Sequence, residues 1–381
     1  MTISRRLILA AALMSATLPA WAGAAAPAAI GAEVDRVANA SIAAGETPGL
    51  QVAIFKDGKP LLVKSYGTAS LELKTPVTND GVFLIGSVTK QFTAAALLQL
   101  RDEGRLSMDD RLSKYYPDYP RAADITIRQM LHHTSGLHNY TADAPVMAEG
   151  AMTRTTDEWV KAFAKMPATQ DFEPGAKWDY SNTAYFLLGG IVEKVEGKPL
   201  ATVLKARFFD PLGMTRTALD DEGEIVPGRV AGYDASAPGK FRNARLISLT
   251  FPGGAGAMRS TASDLARWNA ALFGGKVLKP ASLAEMTTPG KLSNGQLSST
   301  GMPKVDGLRG EYGYALALSD VQGHQKIAHG GGIPGFNSSL SEFPKDHITV
   351  AVIANAIGKD AGAGKVAAKI ERIAIGLPPE K

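Results

Sequence analysis

The sequence predicts a mixed α/β fold: an antiparallel sheet built from both chain ends, flanked by helices, with an inserted, mostly helical region. Three observations lead there. Strand-like runs surround a tight-turn signal at residues 50–66, and a second set fills residues 312–355. Between about 105 and 300 the apolar residues recur at helical spacing among long loops. This divides the chain into a sheet region (23–86 with 300–381) and a helical region (87–299). Together they form one catalytic unit with the site between them. At 381 residues and 45% hydrophobic content, the chain can bury a large core.

The first residues read as a secretory signal over 1–22. Arg5 and Arg6 supply the positive start, Leu7 to Leu18 the apolar stretch, and Ala20-Trp21-Ala22 the cleavage site. The apolar stretch is shorter than the roughly 20 residues of a spanning helix, so cleavage is expected rather than anchoring. The expected protein is exported, periplasmic or secreted, with no membrane span after cleavage. Gly23 to Gly31 reads as an alanine-rich remnant of that leader.

Val52 to Phe55 and Leu61 to Val63 flank Asp57-Gly58, a strong hairpin signal. Val82 to Gly86 is an apolar run that leads directly into Ser87. From Thr89 to Arg101 the period turns helical, with Phe92, Ala96 and Leu100 on one stripe and Gly104 placed as a cap. Ser181 and Asn182 can cap a helix carrying Leu187, Leu188, Ile191, Val192 and Val195. Ser263-Asp264 opens another, with Leu265, Trp268 and Leu272 on one face and Gly274-Gly275 closing it. Gly290 to Gly310 reads as a glycine-rich surface loop. Tyr312–Ser319, Gln325–His329, Asn337–Phe343 and Ile348–Asn355 read as strands, and Lys365–Ile375 as a closing helix.

Composition narrows the chemistry. The net charge is +4, and +2 without Arg5 and Arg6, too small an excess for a nucleic-acid footprint. The expected partner is therefore a small-molecule or peptide substrate; nothing in the sequence sets an oligomeric state. With no cysteine, disulfides and thiolate nucleophiles are excluded, leaving Ser, Thr, Lys or a carboxylate as a nucleophile.

Three short motifs carry that chemistry. In Ser87-Val88-Thr89-Lys90 the two polar side chains share one face at a helix start, and an amine of lowered pKa can take a serine proton. About 90 residues on, Tyr180-Ser181-Asn182 places a phenol able to relay protons and an amide able to hold both Lys90 and a substrate carbonyl. Late in the chain, His329-Gly330-Gly331-Gly332 lets a substrate backbone approach closely and leaves N–H groups free to point at an oxygen. Taken singly, each motif also fits a plain cap or turn.

The order S-x-x-K, Y-S-N, H-G-G resembles the serine β-lactamase and penicillin-binding superfamily. It is most similar to class C β-lactamases, DD-carboxypeptidases, D-aminopeptidases and family VIII esterases. Leu131-His132-His133-Thr134-Ser135-Gly136-Leu137, Phe172-Glu173-Pro174-Gly175, Pro211-Leu212-Gly213-Met214 and Gly254-Ala255-Gly256 through Leu265 are also similar to family segments. The likeness spans about residues 33 to 357. It implies the β-lactamase/transpeptidase-like version of the fold and an acyl-serine mechanism with no cofactor and no metal. By resemblance, Ser87 is the nucleophile, Lys90 its proton-transfer partner and Tyr180 the general base or its relay. Asn182, His329, Gly331 and Gly332 bind substrate, with Ser87 and Gly332 N–H groups holding the oxyanion.

His329 stands where class C β-lactamases carry a lysine. A histidine is largely neutral near pH 7, so a peptide substrate of D-amino-acid or cell-wall type, or a simple ester, is expected ahead of a β-lactam. The rival from another class is a non-catalytic homologue that binds wall fragments; the Ser87, Lys90, Tyr180 set argues against it. His132, His133 and His138 lack metal-site spacing, and no G-x-S-x-G elbow is present. The pocket walls are expected from loops around 138–170 and 290–310. Tyr140, Trp178 and Trp268 are candidates for lining the pocket, though such aromatics are more often core.

Overall fold

The computed structural model describes residues 27–298 and 310–379. The expected leader and residues 299–309 of the expected glycine-rich loop lie outside the described residues.

An eight-stranded sheet is the centre of the fold. In chain order its strands are β1 (Gly49–Lys56), β2 (Lys59–Ser70), β3 (Thr75–Pro76), β4 (Glu311–Tyr312), β5 (Ala317–Val321), β6 (His324–Ile333), β7 (Phe336–Phe343) and β8 (Ile348–Ala354). Their spatial order is β3-β2-β1-β8-β7-β6-β5-β4, with every neighbouring pair antiparallel. The two chain ends meet at β1 and β8, where Val52 faces Val352.

Helices on both faces explain the continuous apolar runs of β1 and β8, since a sheet covered twice needs no polar alternation. One face buries Leu50, Val52, Ile54, Val350 and Val352 under α1 (Pro27–Ala43) and α5 (Gly364–Ala374), through Val34, Val37, Val366 and Ile370. The expected leader remnant is thus corrected at its end: α1 already begins at Pro27, because Ile30 and Val34 have this face to cover.

The other face joins the larger core, centred on α2 (Thr89–Asp102), which is buried on nearly all sides. Phe92 of α2 stacks on Trp268 of α4 (Ala262–Phe273) with ring centroids 3.9 Å apart. Trp268 is therefore core. Thr261 rather than Ser263 caps α4, its hydroxyl accepting the Asp264 N–H. The α3 helix (Asn182–Glu196) starts at Ser181, whose hydroxyl accepts from the Ala184 N–H.

Short strands also occur inside the helical stretch. Met258–Ser260 pairs with both Phe83–Leu84 and Ala218–Leu219, which pulls the run before Ser87 out of the main sheet. The expected single strand over Tyr312–Ser319 splits into β4 and β5, with Ala315 between them at φ +56°. Among the described residues, no helix is long and apolar enough to cross a membrane.

Candidate active site

Ser87 lies in a tight turn, Gly86–Val88, immediately before α2, and stays partly exposed. Glycines allow this turn to touch β6. Gly86 takes φ +52°, and a Cβ on it would sit 2.8 Å from the Gly332 nitrogen. On the opposite side, a Cβ on Gly331 would lie 1.9 Å from the Ile85 carbonyl oxygen, so only glycine fits. The Ser338 hydroxyl donates to that same carbonyl at 2.8 Å and ties the turn to β7. The first and third motifs thereby share one wall.

Lys90, the second residue of α2, is fully buried. Its Nζ lies 3.0 Å from Ser87 Oγ, 2.7 Å from Asn182 Oδ1 and 2.7 Å from the Ala255 carbonyl oxygen. Burial pushes its pKa well below the usual lysine value. A neutral amine has two N–H groups and one lone pair. Asn182 Oδ1 and the Ala255 carbonyl oxygen can only accept, so in that form they would take both N–H groups and leave the lone pair for the Ser87 hydroxyl.

Ala255 reaches Lys90 because two glycines cross: a Cβ on Gly254 would meet the Gly189 Cα at 2.9 Å, and the converse contact is 3.0 Å. The sequence shows Gly254-Ala255-Gly256 only as a family-like segment. The acceptor is a backbone carbonyl, which leaves no side-chain signal to read.

Tyr180 is half-buried, and its ring centroid lies 4.8 Å from Lys90 Nζ. Burial raises its pKa, and the Ser87 contact offsets this only in part, so the phenol rests protonated. Asn182 also donates through Nδ2 to Thr141 Oγ1 at 3.2 Å. The structure thus gathers Ser87, Lys90, Tyr180 and Asn182 around one point, with Gly332 beside them.

Comparison with known proteins decides the family, because the Beta-lactamase family profile matches residues 34–374. The chain belongs to the Beta-lactamase family. Its expected class, a serine hydrolase, is the class of that family. It is 27% identical to penicillin-binding protein 4* of Bacillus subtilis over 80% of this chain and 67% of that protein. It is also 27% identical to a D-aminopeptidase of Gluconobacter oxydans, over 87% of this chain but only 60% of that protein's length. Among solved structures, the D-amino acid amidase of Ochrobactrum anthropi aligns with TM-score 0.78 at 26% identity, over 91% of this chain and 97% of that one. The octameric penicillin-binding protein homologue of Pyrococcus abyssi aligns with TM-score 0.79 at 26% identity, over 92% and 78%.

Within this Beta-lactamase family fold, His329 lies inside β6 rather than at its end, and is buried. Its Nδ1 is 2.6 Å from the Gly330 carbonyl oxygen, which can only accept, so Nδ1 carries the proton. The Tyr312 hydroxyl, 2.8 Å from Nε2, then donates to the bare nitrogen. Burial brings the imidazole pKa down to about 4. Tyr312 is a partner that sequence reasoning missed, since it precedes the motif by 17 residues and carries no local pattern.

Behind Tyr180 sits His133, fully buried at φ +57°. Its ring packs 4.4 Å from that of Tyr180, and its Nδ1 accepts from the Ser181 N–H at 3.2 Å. Trp178, Tyr185 and Tyr312 complete the aromatic cluster around it. The His132–Leu137 loop is therefore a support for the second motif. His138 pairs with Asp171 instead, and no metal-holding cluster of His or carboxylates occurs among the described residues.

Ser87 opens into a cleft of ≈ 100 Å³ lined by Tyr140, Thr141, Met147, Asn182, residues 245–256 in part, and Gly332 to Pro334. Tyr140 and Met147 fit the expected wall around 138–170. The wall from Arg245 to Gly256 was not among those expected, and residues 299–309 of the expected wall around 290–310 lie outside the described residues. A larger groove of ≈ 1240 Å³ lies elsewhere, over Phe273, Leu283 and Glu342, and contains none of the three motifs.

Proposed function

We propose that this protein hydrolyses amide or ester bonds of D-amino-acid or cell-wall type through an acyl-Ser87 intermediate, acting outside the cytoplasm. The observation that carries the reading is the buried Lys90 amine, within hydrogen-bond distance of two fixed acceptors and of Ser87 Oγ. The leader-like residues 1–22 support export, and the D-aminopeptidase and D-amino acid amidase relatives support the amide class.

In the first step Ser87 Oγ attacks the substrate carbonyl carbon and its proton passes to Lys90 Nζ, which becomes an ammonium. The carbonyl electron pair moves to oxygen, held by the Ser87 and Gly332 N–H groups. The C–N or C–O bond then breaks, and the leaving group takes a proton from the Tyr180 hydroxyl. Lys90 returns that proton to Tyr180, which restores both groups. Water repeats the sequence on the acyl-enzyme and frees Ser87. Asn182 fixes the Lys90 amine and offers its second Nδ2–H to the substrate carbonyl side.

A neutral His329 gives this site no fixed cation at the place where class C enzymes hold the β-lactam carboxylate, so penicillin is expected to turn over poorly. The test is intact-mass spectrometry after brief exposure to a p-nitrophenyl ester, a D-alanyl peptide amide and a penicillin. An adduct that vanishes in Ser87→Ala supports the reading. Equal adducts in both proteins, or none with any donor, contradict it.

A further inference from the structure

The cleft beside Ser87 has a chemical bias that bond cleavage alone does not require. Its walls are largely apolar, through Met147, Ile247, Phe251 and Ile333, with Thr141 and Asn182 as neutral hydrogen-bonding groups. Arg245 is the one charged side chain lining it among the described residues. The guanidinium is exposed and finds no hydrogen-bond or ion-pair partner among the described residues. Other arginines of the same chain behave differently: Arg229 and Arg259 both grip Asp220, and Arg207 holds Glu103 and Glu196.

The backbone on either side of Arg245 is pinned. The Ala244 N–H donates to the Gly232 carbonyl, and the Ser248 N–H donates to the Gly150 carbonyl at 2.8 Å. Glu222 accepts from the Ser248 hydroxyl at 2.6 Å and from the Leu249 N–H at 3.0 Å. The arginine is thus carried on a fixed rim.

The side of the cleft identifies which half of the substrate meets it. Tyr180, the proton donor to the leaving group, does not line this cleft, and neither does His329. The leaving group departs toward Tyr180, so the cleft receives the acyl half. We propose that Arg245 binds an anionic group, a carboxylate, on the acyl half of the substrate, and so selects acidic acyl groups. This rests on the acyl-Ser87 reading and deepens it.

A guanidinium matches a carboxylate with two parallel hydrogen bonds, and an exposed pair of this kind is screened by salt. The same cation repels an acyl half bearing a free ammonium. The site therefore disfavours short D-amino acid amides with a free amino terminus, and favours acyl groups whose amine is blocked or whose side chain is acidic.

The experiment compares three p-nitrophenyl esters of matched length: the glutarate monoester, the valerate and the 4-aminobutyrate. Each is measured with the wild type, Arg245→Gln and Arg245→Glu at low and high salt. The expected wild-type order is glutarate, valerate, aminobutyrate. The glutarate-to-valerate ratio of kcat/KM should fall about tenfold in Arg245→Gln, fall further in Arg245→Glu, and shrink with salt in the wild type alone. A ratio that is the same in all three proteins overturns the assignment of Arg245 while leaving the acyl-serine reading intact. No turnover and no Ser87 adduct with any ester overturns both.

Discussion

Lys90 and His329 are both buried basic groups near Tyr180, yet their surroundings differ. Lys90 meets two obligate acceptors, Asn182 Oδ1 and the Ala255 carbonyl, and one hydroxyl that can donate, that of Ser87, so in its neutral form the lone pair is left for the serine proton. His329 has its N–H taken by the Gly330 carbonyl and its bare nitrogen taken by the Tyr312 hydroxyl. Burial lowers the pKa of each, but one remains a base with an exit for the proton and the other is a satisfied, neutral post. Partner chemistry, more than burial, separates the proposed proton acceptor from the neutral imidazole.

The largest effect expected is Ser87→Ala, which should abolish both adduct and turnover in mass and rate assays. Next is Lys90→Arg. A guanidinium stays charged and cannot accept the serine proton, so kcat/KM should fall about 10³-fold or more, without loss of the folded state by circular dichroism. Recovery of wild-type rates by the arginine would remove the distinction between the two basic residues. Tyr180→Phe should cost about 10²–10⁴-fold on an amide, whose amine must be protonated as it leaves. On a p-nitrophenyl ester, which leaves as a stable anion, the cost should be far smaller. Equal losses on the two substrates would move Tyr180 from leaving-group protonation to the attack on the carbonyl.

The histidine side of the comparison is read in stability. Between about pH 6.5 and 4 the unfolded chain binds a proton at position 329 that the folded protein does not, so stability falls as pH falls through that window. His132, also held down to about 4 by burial, adds in the same direction. Tyr312→Phe leaves Nε2 of His329 without its donor and should cost about 1–3 kcal/mol in chemical denaturation, with a minor effect on turnover. A loss of activity comparable to that of Lys90→Arg would give His329 a proton-transfer role.

The main sheet was legible in the sequence because its strands are apolar runs, with the strong turn signal Asp57-Gly58 closing the first hairpin. The grouping of Ser87, Lys90, Tyr180 and Asn182 was legible through motif order, each motif sitting at a helix start that can aim a side chain. What the sequence did not show was carried by backbone or by distance along the chain. Ala255 contributes a carbonyl, Tyr312 pairs with His329 across two strands, and Arg245 reaches the cleft from a segment with no periodic pattern. The tight contacts at Gly86, Gly331 and Gly254 exist only once the chain has folded, so no local spacing announces them.

The central claim is that Lys90 is neutral in the resting enzyme and takes the Ser87 proton. It is tested by NMR titration of ε-¹³C-labelled lysines, with Lys90→Arg assigning the signal, alongside the pH dependence of acylation by a p-nitrophenyl ester. The account predicts one lysine titrating far below the others, at the same pH as the acid limb of the acylation rate. A Lys90 signal that titrates with the surface lysines near the ordinary value of about 10.4 would contradict it.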